Sequence, residues 1–373
     1  AATFELSAGE AVRLAGEVVP FDAAEGGAGR FGFALRVPLG VVVAITPFNF
    51  PVNLAAHKIG PALAAGNAVI LKPASATPLS DLELARMLYD AGLPPEALSV
   101  LTGPGSGVED ALVGDERPRM VTFTGSAEVG RRIVARAALK RTAMELGSNS
   151  ALIVTGHCDV EDAAERSARA AFALAGQVCI SLQRVLVDER VRDRFLDRLV
   201  AATRDLAVGD QLSEETDVGP MIDAAQAERA AAWLAEAVGA GGEVLSGGTR
   251  EGALFEPTIV RDPPREARIW GDEAFAPIVC VRSFAVLDEA IEAVNASRYG
   301  LQAGIYTDRL DEALRAAEEI RCGGVMVNDV PTFRVDLMPY GGEKESGLGR
   351  EGPRYAIREM SELRVVCVRR PVG

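Results

Sequence analysis

Two residue types in this chain could do covalent chemistry on a carbonyl: a thiol and a carboxylate. Cys179 stands in Gly176-Gln177-Val178-Cys179-Ile180-Ser181, directly after an Ala-rich stretch. A cysteine is a nucleophile only as thiolate, so it needs surroundings that lower its pKa. Without them a lone cysteine is a small buried hydrophobe, and Cys158, Cys280, Cys322 and Cys367 are read that way. Glu145, in Met144-Glu145-Leu146-Gly147, lies at the seam between two α/β regions. There a carboxylate can serve as general base toward water; elsewhere it is an ordinary solvated acid.

Three further stretches carry binding chemistry. Phe123-Thr124-Gly125-Ser126-Ala127-Glu128-Val129-Gly130 runs from a strand through Gly125 into a helix that starts at Ser126. Such a start offers N–H groups and the positive end of a dipole to phosphate. It is not the Gly-x-Gly-x-x-Gly fingerprint, and an ordinary strand-to-helix turn has the same look. Lys72-Pro73 falls at the carboxyl end of a strand, the side on which open α/β sheets bind ligands. Asn49, in Thr46-Pro47-Phe48-Asn49-Phe50-Pro51, presents an amide from a proline-bounded loop. Held rigidly it could donate to an oxyanion; as a turn residue it would only satisfy nearby backbone.

The elements that must position these groups alternate in type. Strands are expected at Val41–Ile45, Ala68–Lys72, Leu98–Leu101 and Met120–Phe123, with helices over 53–65 and 127–139 between them. Ser80-Asp81-Leu82-Glu83 predicts a capping box, with Ser80 as N-cap of a helix that stops at Gly92. A second α/β region begins near Ala151, with helices over 161–176, 190–207 and 223–238 and strands at Val279–Phe284 and Gly324–Asn328. The tail Leu363–Val368 is β-like. Strand–helix alternation with continuous apolar strands predicts an α/β fold, a doubly wound Rossmann-like parallel sheet followed by a second α/β domain.

Composition bounds the reading. The chain has 373 residues, 48% hydrophobic and 25% charged, enough for packed cores of about two domains. The net charge is −14 with no basic patch, which argues against nucleic acid. No apolar run approaches the ~20 residues that span a bilayer. The start Ala1-Ala2-Thr3-Phe4-Glu5 lacks the pattern of a secretion signal, so none is expected. With two histidines, His57 and His157, and no paired cysteines, no metal site is expected. His57 and Lys58 are read as structural. An odd, sparse set of cysteines fits a reducing cytoplasm.

Together these stretches resemble the NAD(P)-dependent aldehyde dehydrogenase superfamily. The matching positions run in that family's order: Thr46–Pro51, Gly66-Asn67 through Lys72-Pro73, Phe123–Gly130, Glu145-Leu146-Gly147, Gly176–Cys179, Asp272-Glu273-Ala274-Phe275, Pro339–Gly342 and Ser346-Gly347. The resemblance implies an oxidoreductase acting on the aldehyde group. Cys179 would attack the aldehyde carbon, and Asn49 with the Cys179 N–H would hold the oxyanion. Hydride loss to the nicotinamide would leave a thioester, and Glu145 would activate the water that hydrolyses it. Such covalent catalysis splits one hard step into two. NADP or NAD would lie against Thr46, Pro47, Phe48 and Leu146. Lys72 would hold the adenosine ribose, Gly125 and Ser126 the pyrophosphate, and Glu273 the nicotinamide ribose beside Phe275.

The resemblance also implies a three-part organisation. Residues 1–147 would bind the cofactor and carry an oligomerisation arm at about 21–38. Residues 148–345 would be catalytic, and 346–373 a return segment and oligomerisation tail, giving a homodimer or homotetramer. Compared with the family the chain is short at its N-terminal side, where helices normally pack on the cofactor domain. Ser148 and Ala276 replace glycines common in the family. Ser75 stands where NAD-specific members often have a glutamate, so NADP is expected to be accepted. The branch resembled acts on small oxygenated or anionic aldehydes: lactaldehyde, semialdehydes, and phosphate- or phosphonate-bearing aldehydes. Arg334 and Tyr340 are its substrate candidates. The rival readings are a CoA-acylating dehydrogenase, which Glu145 argues against, and a non-catalytic binding protein on the same fold.

Overall fold

The structure is a computed structural model and describes residues 1–370. The chain divides into two compact units. One comprises Ala1–Glu145, Val335–Tyr340 and Leu348–Gly373, and the other Leu146–Arg334 and Gly341–Gly347.

The first unit is built on a sheet with five parallel strands in the order Arg141–Glu145, Pro118–Thr124, Val41–Ile45, Ala68–Lys72, Leu98–Val100. The central strand reads Val-Val-Val-Ala-Ile, and Val42 through Ile45 are buried, as a strand covered on both faces must be. Its ladder sets Val42 opposite Val69 on one side and Met120 on the other. Helices Pro51–Ala64, Pro78–Asp90, Gly105–Gly114 and Ala127–Ala137 join the strands. Ile59, Leu71, Leu84, Leu98 and Met120 belong to one apolar cluster.

The capping-box expectation at Ser80 is overturned. The helix starts three residues earlier, with Thr77 as N-cap and Pro78 in the first turn. Proline has its φ preset for a helix and no N–H to leave unsatisfied there, so Pro78 sets the start. In the same unit Arg30–Pro38 pairs antiparallel with Ser361–Arg369 over nine residue pairs, and with Glu17–Val19 on its other edge. This ribbon leaves Phe31, Leu35, Leu363, Val365 and Val368 exposed.

The second unit holds a seven-stranded sheet in the order Glu243–Ser246, Thr258–Arg261, Ile278–Phe284, Leu182–Asp188, Ser150–Val154, Gln302–Tyr306, Gly324–Val327. Only the first strand is antiparallel to its neighbour. The expected helix over 161–176 is shorter: it ends at Phe172, and Leu174, Ala175 and Gly176 all take left-handed backbone, with φ of 51°, 53° and 68°. Among the described residues no helix is long and apolar enough to cross a membrane.

Candidate active site

In the second unit, the helix that delivers the thiol is well specified at its start. Asp159 caps it, accepting from the Asp162 N–H at 3.1 Å. Eight of its thirteen residues are buried, five of them alanines, which lets the helix lie close to the sheet. After Phe172 the chain reverses through the left-handed turn Leu174–Gly176. Gly176 is required there twice over: φ is +68°, and a Cβ would come within 2.1 Å of the Ala276 carbonyl oxygen. Gln177 secures the turn. Its backbone N–H and its Nε2 both donate to the Leu174 carbonyl, and its Oε1 accepts the Ile222 N–H at 2.8 Å. Cys179 follows, half-buried and in no disulfide.

The contact of Gly176 with Ala276 brings the cysteine loop against the loop that bears Glu273. Ser148, Gly176, Val178, Ser181, Glu273 and Phe275 line a narrow cavity there. The Glu273 loop is tethered by two side-chain amides, one just before strand Ser150–Val154 and one in strand Leu182–Asp188. Asn149 donates through Nδ2 to the Trp270 and Asp272 carbonyls, at 2.9 and 3.0 Å. Gln183 donates to the Ile269 and Asp272 carbonyls and accepts the Ala274 N–H at 2.8 Å. Phe275 completes the loop with φ of 48°. Glu273 Oε1 accepts the Ser148 N–H at 2.8 Å. Burial pushes Glu273 up to about 7, against the opposing pull of that N–H, Arg229 and Arg298.

Beneath the loop, Arg184 is buried in strand Leu182–Asp188. It donates to the Asn149 and Ala293 carbonyls and stacks over Trp270, its carbon 5.4 Å from the ring centroid. Arg334 is also in this unit and is partly buried.

The first unit carries the other predicted positions. Glu145 ends its strand and is buried, and its carbonyl accepts the Gly125 N–H at 3.0 Å. Gly125 has no room for a side chain: a Cβ would meet the Phe123 ring at 2.4 Å. Ser126 is the N-cap of helix Ala127–Ala137, its Oγ accepting the Val129 N–H at 3.3 Å. Lys72 is buried at its strand end and pairs with Glu109 at 3.2 Å. Thr46 is buried, and its hydroxyl has no hydrogen-bond partner among the described residues. Pro47, Phe48 and Asn49 follow in a half-buried loop. Ser75 donates to the Gly103 carbonyl at 3.0 Å. Tyr340 is buried and exchanges backbone hydrogen bonds with Glu351.

His57 and Lys58 have partners of their own: His57 Nε2 lies 3.2 Å from Asp336, and Lys58 Nζ binds Thr122 and Glu351. Leu146, at the start of the second unit, donates its N–H to the Ser346 carbonyl at 2.9 Å. An orphaned hydroxyl, a lysine at a strand end, a side-chain-free turn and a capped helix start are the donor set a dinucleotide needs. Among the described residues no cluster could hold a metal ion. Sequence reasoning passed over Gln177, Asn149, Gln183, Arg184 and Glu109, which carry much of this architecture.

Comparison with known proteins agrees with this geometry. The profile described as the aldehyde dehydrogenase family matches residues 1–366. The chain is 47% identical over 368 residues to a 3-sulfolactaldehyde dehydrogenase of Priestia aryabhattai, covering 99% of this chain and 77% of that protein. Glyceraldehyde-3-phosphate dehydrogenase GapN from Methanocaldococcus jannaschii, solved in complex with NADP, superposes with a TM-score of 0.95 at 40% identity, covering 99% of this chain and 80% of that one. Aldehyde dehydrogenase 21 from Physcomitrella patens, solved with the reaction product succinate, superposes at 0.96 and 41% identity, covering 99% and 77%. This chain therefore belongs to the aldehyde dehydrogenase family, and its activity is the NAD(P)-dependent oxidation of an aldehyde to its acid.

Proposed function

We propose that Cys179 is the nucleophile of this oxidation, Glu145 its hydrolytic base and Asn49 an oxyanion donor. The Cys179 thiolate attacks the aldehyde carbon, and the carbonyl oxygen becomes an oxyanion held by the Asn49 amide and the Cys179 N–H. A nicotinamide held in this site would supply the acceptor for the hydride that leaves that carbon. The acyl group then remains on Cys179 as a thioester. Glu145 takes a proton from water, the resulting hydroxide adds to the acyl carbon, and the C–S bond breaks to release the acid and the thiolate. Lys72, Thr46, Pro47, Phe48, Gly125, Ser126 and Leu146 would hold the dinucleotide, and Glu273 with Phe275 would bind its nicotinamide ribose.

The observation that supports this reading is the braced left-handed turn before Cys179, packed against the Glu273 loop. In this reading residues 1–147 bind the cofactor, 148–345 catalyse, and 346–373 with 21–38 form the arm of a homodimer or homotetramer. The exposed apolar side chains of the ribbon Arg30–Pro38 and Ser361–Arg369 support such a contact. The five free thiols fit a cytoplasmic protein. The substrate is a small oxygenated or anionic aldehyde, with Arg334 and Tyr340 as the residues that would bind it. The test is NAD(P)H absorbance on mixing wild type or Glu145→Gln with short aldehydes. Wild type should turn over steadily; Glu145→Gln should give a single burst of reduced cofactor and stall. Steady turnover of the variant at the wild-type rate would remove Glu145 from the mechanism.

A further inference from the structure

The residue at position 75 does not complete the account of cofactor choice. Its hydroxyl is directed to the Gly103 carbonyl, and a serine brings no charge. A carboxylate nevertheless reaches the lysine, from another element. Glu109 lies in helix Gly105–Gly114 and folds back toward that helix's start. A Cβ on Gly105 would stand 3.1 Å from Glu109 Oε1. One carboxylate oxygen is 3.2 Å from Lys72 Nζ, and the other is 3.8 Å from Arg132 on helix Ala127–Ala137. Glu109 and Lys72 are both largely buried, with side chains 12% and 3% exposed, so solvent screens the pair weakly.

We infer that Glu109 sets the preference for NAD over NADP. The inference rests on Lys72 being the ribose-binding lysine. A 2′-phosphate carries two negative charges and needs cations that are not already neutralised. Here Lys72 and Arg132 share one carboxylate. Admitting the phosphate would either press two like charges together or break a buried ion pair. Both disfavour NADP. A ribose hydroxyl meets no such obstacle, because it can donate to the carboxylate while accepting from Lys72.

The test is calorimetric binding of NAD and NADP, without aldehyde, to wild type, Glu109→Gln and Lys72→Ala, with thermal melts alongside. Wild type should bind NAD more tightly. Glu109→Gln should shift the ratio of dissociation constants toward NADP by at least about tenfold. A ratio that stays put while melts show the variant folded overturns the inference. So does equal weakening of both cofactors, which would make Glu109 only a prop for Lys72. Should Glu109→Gln fail to fold, the wild-type ratio decides: NADP bound as tightly as NAD contradicts the proposal. Unchanged affinities in Lys72→Ala would instead overturn the assignment of the cofactor site itself.

Discussion

Gln177 and Leu174 are joined by two hydrogen bonds to one carbonyl: the backbone N–H and the Nε2 of Gln177 each meet the Leu174 oxygen at 3.1 Å. With the Ile222 N–H on Oε1, the side chain spans the turn and a second segment. Gln177 acts as a positioning residue, because what it fixes is the backbone leading to Cys179. Gln177→Ala should lower kcat by about tenfold or more, as loss of fixed geometry does. Affinity for the cofactor and the melting temperature should change far less. Steady-state kinetics beside direct cofactor binding separate the outcomes; a variant that loses kcat and cofactor affinity together points to general disruption of the unit.

The turn itself is strained. Leu174 has φ of 51° and is 43% exposed, so it stores backbone energy while only partly buried. Left-handed backbone costs a branched aliphatic residue about 1 kcal/mol or more, and asparagine tolerates it. Leu174→Asn should therefore raise the melting temperature by roughly 2 °C. A melt at or below that of wild type would show that Leu174 contributes packing that outweighs the strain.

Asp81 predicts a pH dependence of stability. It is fully buried, and neither carboxylate oxygen has a hydrogen-bond partner among the described residues. Burial pushes it up from 3.8 to about 7. Between those values the unfolded chain has released the proton while the folded chain keeps it, so the fold loses stability as pH rises toward 7. Asp81→Asn removes the penalty. It should melt above wild type near pH 8, with the gap narrowing as the pH falls toward about 4. A gap independent of pH would mean that this carboxylate does not titrate as its burial requires.

The thiols should separate by environment. Burial pushes Cys158 and Cys280 up to about 12 and Cys322 to about 11, whereas Cys367 is exposed on the edge ribbon. Near pH 8 a small alkylating agent should mark Cys179 first and Cys367 next, and spare the other three, because the thiolate is the reactive form. Peptide mapping of a time course reads the order. Faster labelling of Cys367 than of Cys179 would show that the turn does not activate the thiol.

The sequence disclosed its strands most readily, because buried parallel strands such as Val41–Ile45 and Ala68–Lys72 are almost wholly apolar. The left-handed turn was illegible for the converse reason: Leu174 and Ala175 are good helix formers, and only packing forces them out of the helix. Ser80 misled because a capping-box pattern matters less than a proline two residues earlier. Asn149, Gln183 and Arg184 are buried in or beside strands, where polar letters imitate a solvent-facing position. Their role shows only once the Trp270–Ala274 backbone they hold is seen beside them. Glu109 reads as a helix-surface acid, and nothing in the letters joins it to a lysine thirty-seven positions earlier.

In the proposed mechanism the acyl group resides on Cys179 between oxidation and release. Mass spectrometry of Glu145→Gln, quenched after mixing with NAD(P) and an oxidisable aldehyde, tests it directly. An acyl adduct is expected on the peptide bearing Cys179, present only when cofactor was added. Reduced cofactor formed without that adduct, or with the adduct on another cysteine, would contradict it.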